Sequence, residues 1–430
     1  MGASTLRGMN SSDCLSLPEL PVTPPSHRWK VLAAGVLANA AFSTAFSGIP
    51  MTAVMMRSSY QLDTSTLGLM LGLMGLGIAL SELPWGLLTD RWGDRPVLLT
   101  GLIGTALALA AMAVWATPEA GQVPGLQWLA GGLVLVGLLG GSLNGASGRA
   151  VMTWFADGER GLAMSIRQTA VPLGGAIGAL LLPALALHGG FVAVFAVLAS
   201  ICLLSALLAA AWVHEPPHAA LHAQRQLATG PSPSPSPLRD ARAWRSVAGI
   251  GMLCAPQFAV LSFGTVFLHD FAQAELERVS AVMAVVQCAA MAMRIWSGRW
   301  TDRHRNRQSY LSACSWLSML LFAALATACW IAPGPLLLLV LTAGAGICVS
   351  AWHGVAYAEL ATLAGAGRAG TALGMANTSV FIVCFAVPMT IPHLLSLQGW
   401  VLVWSACALC AVGARPLLAA PQQSAARVRD

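Results

Sequence analysis

Charged residues are scarce in this sequence: Asp, Glu, Lys and Arg together make up 9% of its 430 residues, whereas soluble domains carry about 25%. Hydrophobic residues make up 57%, and the mean hydropathy is +0.70. This composition excludes a protein whose main solvent is water. Runs of roughly 20 apolar residues, the length that crosses a bilayer, recur along the whole chain. The sequence therefore predicts an integral membrane protein.

Several motifs are missing as well. The absence of a Walker A motif excludes nucleotide hydrolysis as the energy source. The sequence has no cluster of His, Asp or Cys ligands and no nucleophile with its base, so we expect no enzyme, no metal site and no cofactor. The first 27 residues lack the apolar core of a cleavable signal peptide, and we expect the first span to act as its own signal.

Cysteine is present, but its placement does not indicate disulfides. The ten cysteines lie mostly inside apolar runs, so we interpret them as small buried hydrophobic residues. Cys407 and Cys410 form a CxxC motif in an apolar helix without partner ligands, which does not favour a metal or redox role.

Apolar runs bounded by charged or turn residues predict an all-α membrane protein with twelve spans in two sets of six. The first set lies near 31–56, 66–89, 96–117, 126–152, 162–187 and 190–213, and the second near 246–269, 279–300, 309–331, 335–357, 370–393 and 398–419. Asp63, Thr64 and Ser65 supply the predicted N-cap of the second span. The predicted domains are a tail (1–28), a six-helix bundle (29–213), a linker (214–245), a second bundle (246–419) and a tail (420–430). The alternating Pro and Ser residues of 231–237 indicate an extended linker.

The distribution of basic residues predicts the orientation, because Lys and Arg near span ends stay on the cytoplasmic side. With the N-terminus inside, the predicted outer loops hold only Arg57 and Arg278, and the other 21 of the 23 Lys and Arg residues fall on the inner side. We therefore expect a bacterial-type inner-membrane protein whose termini and linker are cytoplasmic. The net charge of +6 is accounted for by this inner face, so nucleic acid is not an expected partner.

An internal repeat relates the two sets of spans. The second span ends in GLLTDR at 86–91 and the eighth in GRWTDR at 298–303, a constant offset of 212 residues. The shared positions are Gly86, Thr89, Asp90, Arg91 and Arg95 in the first copy and Gly298, Thr301, Asp302, Arg303 and Arg307 in the second. A weaker echo pairs Gln168 and Thr169 with Asn377 and Thr378. Because charged residues are scarce here, we interpret these coincidences as a duplication.

The physical properties of the repeated residues suit a gate. Glycine permits close approach of helices, and Asp90 at a helix end can pair with Arg91, Arg95 or the dipole of a neighbouring helix. We expect the two clusters to hold the inner face shut and to separate when it opens. The alternative is a simple positive-inside anchor, which would need neither Asp nor Gly at fixed spacing.

With two sets of six spans and a duplicated GxxTDR run in the loops between helices 2 and 3 and helices 8 and 9, the sequence resembles the major facilitator superfamily. The resemblance covers nearly the whole chain and implies two pseudo-symmetric six-helix bundles that rock about a central site. Two positions depart from the family pattern. Asp94 replaces the usual basic residue after Gly93, and Arg305 replaces that glycine in the second copy.

Four ionisable residues are predicted at membrane depth, where a charge costs roughly 2.5–3.5 kcal/mol; they are Glu82, Arg149, Arg167 and Arg294. Glu82 and Arg294 are related by the same offset of 212, each one turn before its repeat glycine. Glu82 either balances an arginine or carries a coupling proton, and we favour the ion pair because the residue is predicted near the inner end of its helix. The resemblance implies a loose match of Arg149 to an arginine associated with proton coupling.

Arg294 is the predicted substrate residue, because a fixed guanidinium offers a bidentate site for a carboxylate. Its place in helix 8 also resembles that of the substrate-binding arginine in the monocarboxylate and oxalate/formate branches of the superfamily. The other interpretation is that Arg294 snorkels to the inner surface with Arg299. Arg167 and Gln168 begin helix 5, a neighbour of helix 8 in the family, so Arg167 either frames an anion with Arg294 or snorkels.

Other polar residues in apolar spans are candidates for the same site. His353, beside Trp352, is either a cavity residue with a titratable ring or a packed histidine. Five side-chain amides are expected either to bind solute or to join helices. They are Asn39, Asn144, Gln257, Gln287 and Asn377.

Together these features predict a monomeric secondary transporter that moves a small organic anion, a carboxylate, with a proton. The alternative is an efflux pump for drugs or other amphiphilic compounds, which would need a large cavity rich in Met and aromatic residues. Seventeen Met and fifteen Trp keep that alternative open. The run 172–175 resembles the antiporter motif of helix 5, but its spacing is one residue short.

Overall fold

The computed structural model describes residues 26–119, 122–155, 160–214, 237–331, 334–364 and 369–418. Apart from one isolated bridge between Glu119 and Gln122, the regular structure of this part of the chain is helical. The predicted tails and most of the predicted linker, 215–236, lie outside the described residues.

Ten helices of the described part are long and apolar enough to cross a membrane. Two of them, of 47 and 48 residues, would each be about 70 Å long if straight, more than twice the hydrocarbon thickness of a bilayer. Each breaks at a glycine with positive φ, Gly190 (62°) and Gly399 (64°). Divided at these glycines, the ten helices give twelve spans, the number predicted from the sequence.

We label the twelve spans in chain order. They are α1 His27–Ser59, α2 Thr64–Trp92, α3 Asp94–Trp115, α4 Leu126–Trp154, α5 160–189, α6 191–212, α7 Ala241–Phe271, α8 Leu276–His304, α9 Arg307–Ile331, α10 Pro335–Ala364, α11 369–397 and α12 400–418. We call one end of the bundles the linker face. It holds the first and last described residues, 26 and 418, and the two described ends of the linker, 214 and 237. The other end is the opposite face.

The turns at the helix ends follow from local chemistry. The Asp63 side chain caps α2 by accepting a hydrogen bond from Thr66 N at 2.7 Å, as predicted, and hydrogen bonds from Thr66 lower the pKa of Asp63. Gly93, between α2 and α3, has φ 86° and ψ 173°, a conformation open essentially to glycine alone. Its repeat counterpart Arg305 adopts a left-handed helical conformation (φ 51°, ψ 37°), which other residues tolerate. The two loop copies therefore differ in geometry.

Within the first bundle, small residues let helices approach closely. A Cβ atom built on Gly137 of α4 would lie 2.2 Å from the Met74 carbonyl oxygen of α2, and one on Gly77 would lie 2.4 Å from the Val134 carbonyl oxygen. Gly48 of α1 and Gly178 of α5 face each other in the same way, with a built Cβ 2.5–2.8 Å from the partner Cα.

The Gly137→Ala substitution is therefore expected to lower stability by roughly 1–3 kcal/mol, because the backbones of α2 and α4 must separate. Gly86→Ala is the matched control: a Cβ there meets no described atom within 4 Å, and alanine favours a helix by roughly 0.5–1 kcal/mol over glycine. Thermal unfolding in detergent should show a lower Tm for the first variant only. Equal melting of the two variants would contradict the packing.

Two seams join the bundles, one between α2 and α11 and one between α5 and α8. On the first, a Cβ on Gly68, Gly72 or Gly75 of α2 would lie 2.2–2.8 Å from atoms of α11. On the second, a Cβ on Gly175 of α5 would lie 2.3 Å from the Gln287 amide of α8. Toward the linker face, Gly86 and Gly298 meet no described atom within 4 Å. Both seams are thus tight toward the opposite face and parted toward the linker face.

Candidate functional site

A hydrogen-bonded chain crosses the α2–α11 seam. The Asn377 side-chain amide on α11 donates to Glu82 Oε1 on α2 at 3.0 Å, and the Tyr357 hydroxyl on α10 donates to Asn377 Oδ1 at 2.9 Å. All three side chains are half-buried. Glu82 Oε2 is closed to solvent and has no hydrogen-bond partner among the described residues.

Arg167 is held inside the first bundle beside Glu82. Its side chain is buried; Nη2 donates to the carbonyl oxygen and to Oδ1 of Asn144, both at 2.5 Å, and Nε donates to Ser147 Oγ at 3.0 Å. The guanidinium and the Glu82 carboxylate interact electrostatically. Asn39 donates to Ser147 Oγ at 2.5 Å and so joins α1 to α4 at this cluster. Arg167 therefore does not snorkel, and Asn39 and Asn144 join helices.

Arg294 spans the other seam, between α8 and α5. Its Nη1 donates to the Gln168 carbonyl oxygen at 3.4 Å, a long hydrogen bond, and its Nε is closed to solvent without a partner among the described residues. The side chain as a whole is half-buried. The His353 ring stacks on Trp352 at 3.9 Å, interacts electrostatically with Arg294 and leaves Nδ1 without a described partner. Arg294 and His353 thus share one polar region.

Glu82 and Arg294 lie at equivalent points in the linker-face halves of their helices. Each is ten residues from the linker-face end of its 29-residue helix, a distance of about 15 Å along the axis. Glu82 lies in the linker-face half of α2, which continues three residues beyond the predicted end at 89 to Trp92. In this conformation Arg294 bonds across the seam instead of extending toward the linker face.

Gln257 contributes a further polar atom at mid-helix. It is buried on α7, donates to Ser350 Oγ on α10 at 3.5 Å, and leaves its Oε1 without a described partner. Four residues therefore each have one buried polar atom that lacks a hydrogen-bond partner among the described protein atoms. They are Glu82, Arg294, His353 and Gln257. Buried polar atoms are nearly always hydrogen-bonded, so such a group of exceptions marks a place where a solute or water completes the bonding.

The repeated GxxTDR residues contact their own bundle. Arg95 donates to the Ala210 carbonyl oxygen at 2.9 Å, and Arg307 pairs with Asp302 at 2.7 Å and donates to Thr362 Oγ1 at 3.1 Å. Arg91 and Arg303 are exposed, and the side chain of Asp90 lies outside the described part. In this conformation the described members of the two clusters do not join the bundles, so their gating role stays a prediction.

Arg149 belongs to the first of these clusters. Its Nη1 donates to the Thr89 carbonyl oxygen and lies 3.4 Å from Asp94 Oδ1, which ties α4 to the loop between α2 and α3. The acid that replaces the usual basic residue of the loop is therefore the partner of Arg149. The role of Arg149 in proton coupling stays a prediction.

The opposite face is closed by contacts between the bundles. Arg57 at the end of α1 forms an ion pair with Asp270 at the end of α7, with Nη1 and Oδ2 2.5 Å apart. His269 Nδ1 lies 2.8 Å from the other oxygen of Asp270. Deeper in the protein, Thr265 of α7 donates to the Pro50 carbonyl oxygen at 3.4 Å. These contacts seal the space between the bundles on this side.

An aromatic cluster lies near the middle of the spans. Phe46 of α1 packs edge-to-face against Phe258 of α7 and Phe381 of α11, with ring centroids 6.2 and 5.9 Å apart. Edge-to-face pairs at this separation are favourable. Together with the contacts of the opposite face, the cluster leaves the polar region approachable from the linker face.

Sequence reasoning missed two residues of this arrangement. Tyr357 is one of only three tyrosines in the chain, and a lone phenol inside an apolar span was a signal that it has a polar partner. Asp270 is an acid at the start of the predicted outer loop between the seventh and eighth spans, and Arg57 begins the predicted outer loop between the first and second spans. An acid and a base in predicted outer loops that hold few charged residues were the available signal that Asp270 and Arg57 form an ion pair.

Two repeat-related six-helix bundles with ionisable residues on the seams between them are the architecture of a secondary transporter. The sequence profile of the Major Facilitator Superfamily matches residues 34–388. The chain belongs to this superfamily. The uncharacterized MFS-type transporters MT3072 and Rv2994, from two strains of Mycobacterium tuberculosis (CDC 1551 / Oshkosh and ATCC 25618 / H37Rv), are each 27% identical to it over 398 residues, which cover 91% of this chain and 84% of theirs.

Solved structures share the fold. The inward open xylose transporter XylE from E. coli has a TM-score of 0.75 at 15% identity, covering 93% of this chain and 98% of its own. A bacterial homologue of the human lysosomal transporter Spinster has a TM-score of 0.66 at 15% identity, covering 92% and 95%. The predicted all-α fold of two pseudo-symmetric bundles is thereby confirmed, and the protein is a multi-pass membrane transporter of small solutes.

Proposed function

We propose that this protein moves a small organic anion, a carboxylate, across the bacterial inner membrane by alternating access, together with a proton. The observation that carries the proposal is Arg294. This guanidinium lies between the bundles within a membrane-spanning helix, with one long hydrogen bond and an unsatisfied, solvent-closed Nε. A cation in such a place is costly unless a partner compensates it.

A carboxylate is the partner that best fits the guanidinium. Arg presents parallel N–H donors that bind both oxygens of a carboxylate at once. No described acidic side chain forms a salt bridge with Arg294, whereas Arg167 already has the Glu82 charge and three short hydrogen bonds nearby. The anion therefore goes to Arg294, and Arg167 serves the first bundle.

Proton coupling rests on Glu82, the acid on the other seam. The fold similarity to a D-xylose-proton symporter, with a TM-score of 0.71 at 15% identity over 91% of this chain and 97% of its own, supports a proton as co-substrate. The predicted cytoplasmic termini would make the linker face the cytoplasmic side, so that the parted seams open toward the cytoplasm.

A thermal-shift comparison tests the substrate class. Formate, acetate and pyruvate serve as monocarboxylate probes, xylose as a neutral solute and tetraphenylphosphonium as an amphiphilic drug-like cation. We expect at least one monocarboxylate to raise the Tm of the purified protein, by an amount equivalent to about 2.7 kcal/mol at a hundred times its Kd. A Tm raised only by xylose or by tetraphenylphosphonium would contradict the anion proposal.

A further inference from the structure

A groove of about 560 Å³ runs between α9 and α12 along the outside of the second bundle. Its lining is mostly apolar and includes small side chains on both helices, such as Ala323 of α9 and Ala408 of α12. Trp330 lies at its opposite-face end. Large apolar residues are exposed on the same two helices, Leu320 on α9 and Leu409 on α12. In a membrane this groove therefore faces lipid.

A cation lies at the linker-face end of this groove. Arg415 of α12 follows the lining residue Val412 by about one helical turn. Its Nε donates to Ser312 Oγ of α9 at 2.9 Å, and its guanidinium carbon lies 5.4 Å from the centre of the Trp316 ring, also on α9. No acidic side chain of the described residues forms a salt bridge with Arg415. The guanidinium is thus fixed between the two helices while its charge stays uncompensated by them.

The groove and the cation together have the dimensions of one lipid molecule. An acyl chain that starts at Arg415 and crosses half of the roughly 30 Å hydrocarbon layer extends along about ten residues of α12, as far as Ser405. The lining residues Val412, Leu409 and Ala408 lie on this path. A lipid of the leaflet on the linker-face side therefore places its headgroup at Arg415 and a chain in the groove.

The first bundle has no equivalent of this cation. Counted from the two glycines that break the long helices, Gly190 and Gly399, Arg415 of α12 corresponds to Ala206 of α6. Ala206 is buried, whereas Arg415 is exposed. The shared fold of the bundles therefore does not require a basic residue at this point. Because an arginine beside hydrocarbon is costly without a partner, its presence favours a ligand of opposite charge.

We propose that the groove binds one anionic diacyl phospholipid, with the phosphate on Arg415 and an acyl chain along Ala408 and Ala323. A guanidinium matches phosphate oxygens with parallel donors, and basic sites between membrane helices bind anionic headgroups. An acyl chain also supplies the dispersion contacts that an unfilled groove would lack. Neither α9 nor α12 belongs to the two seams, so the lipid holds these helices together apart from the candidate solute site.

Native mass spectrometry of the full chain in detergent tests the charge, with dioleoyl phosphatidylglycerol and dioleoyl phosphatidylcholine as probes. The wild type should bind one phosphatidylglycerol about fivefold more tightly than phosphatidylcholine, the contribution of one basic residue near a membrane surface. Arg415→Gln should remove this preference. Arg299→Gln is the matched control, because Arg299 is also exposed but lies on α8, away from the groove. Equal affinity of the wild type for the two lipids, or an unchanged preference in Arg415→Gln, would overturn the proposal.

A substitution that fills the groove tests where the acyl chain lies. Ala323→Phe should weaken binding of dioleoyl phosphatidylglycerol by about tenfold, the equivalent of two methylene groups that lose their contacts. Ala324→Phe is the matched control, because the neighbouring Ala324 is exposed and does not line the groove. Dihexanoyl phosphatidylglycerol, with the same headgroup and short chains, should bind both variants equally and so report an intact headgroup site. Equal binding of the dioleoyl lipid by both variants would overturn the proposal. A lipid-free dimer that Ala323→Phe dissociates would also overturn it and assign the groove to a second copy of the chain.

Discussion

Arg294→Lys is expected to weaken carboxylate binding by roughly ten- to a hundredfold. A charge-assisted hydrogen bond contributes about 1.5–3 kcal/mol, and 1.4 kcal/mol corresponds to a tenfold change in Kd. Lysine keeps the positive charge but loses the planar pair of donors that matches both carboxylate oxygens. Its ammonium also cannot replace the Nε position, which is the unsatisfied donor of the arginine.

Calorimetric titration of pyruvate, or of whichever monocarboxylate raises the Tm most, measures the effect. Arg299→Lys is the matched control, because Arg299 lies on the same helix and is exposed, so its substitution should leave Kd unchanged. Wild-type affinity in Arg294→Lys would remove this residue from the substrate site. An equal loss in both variants would instead indicate a change of the whole helix.

The order of the spans could be predicted from the sequence because a bilayer demands about 20 apolar residues per crossing. The ends of the spans were harder to place. The tenth span was expected to end at 357, yet α10 continues to Ala364. Its Glu359 is half-buried and accepts a hydrogen bond from Gln308 at 3.3 Å, so a charge that seemed to end the helix is instead used within it. The seventh span begins at Ala241, five residues before the predicted start.

The candidate site could be predicted only in part. Composition and the repeat singled out Glu82, Arg167 and Arg294, since each is an ionisable residue in an apolar run. Which of them carries an unsatisfied atom depends on contacts between distant segments. Asn377 is 295 residues from Glu82 in the sequence and Gln168 is 126 residues from Arg294, and such pairings follow from helix packing, not from local pattern.

The repeat carried more information than the individual residues. Equal offsets placed Glu82 and Arg294 at equivalent points, and the weaker echo paired Gln168 with Asn377; the contacts of Gln168 with Arg294 and of Asn377 with Glu82 appear only in the structure. The sequence could not show that the repeat glycines stand apart from their neighbours in this conformation. The same sequence allows the two bundles to take different angles to each other.

Arg167→Gln is expected to be the most destabilising of the substitutions considered, at roughly 3–5 kcal/mol, the cost of breaking a buried charged network by removing one partner. Arg167 is 5% exposed and makes three hydrogen bonds of 2.5–3.0 Å to Asn144 and Ser147. Its loss leaves those acceptors unsatisfied and leaves Glu82 without its neighbouring positive charge. Thermal unfolding in detergent should show the loss as a lower Tm.

A double-mutant cycle separates the two parts of that cost. If the unpaired Glu82 charge dominates, Glu82→Gln/Arg167→Gln should be more stable than Arg167→Gln alone, with a coupling energy of about 0.5–3 kcal/mol. If the lost hydrogen bonds to Asn144 and Ser147 dominate, the second substitution should recover nothing. Arg242→Gln is the control, because the Arg242 side chain is 70% exposed and exposed substitutions usually stay within about 0.5 kcal/mol. Melting of Arg167→Gln at the temperature of Arg242→Gln would show that Arg167 does not hold the first bundle together.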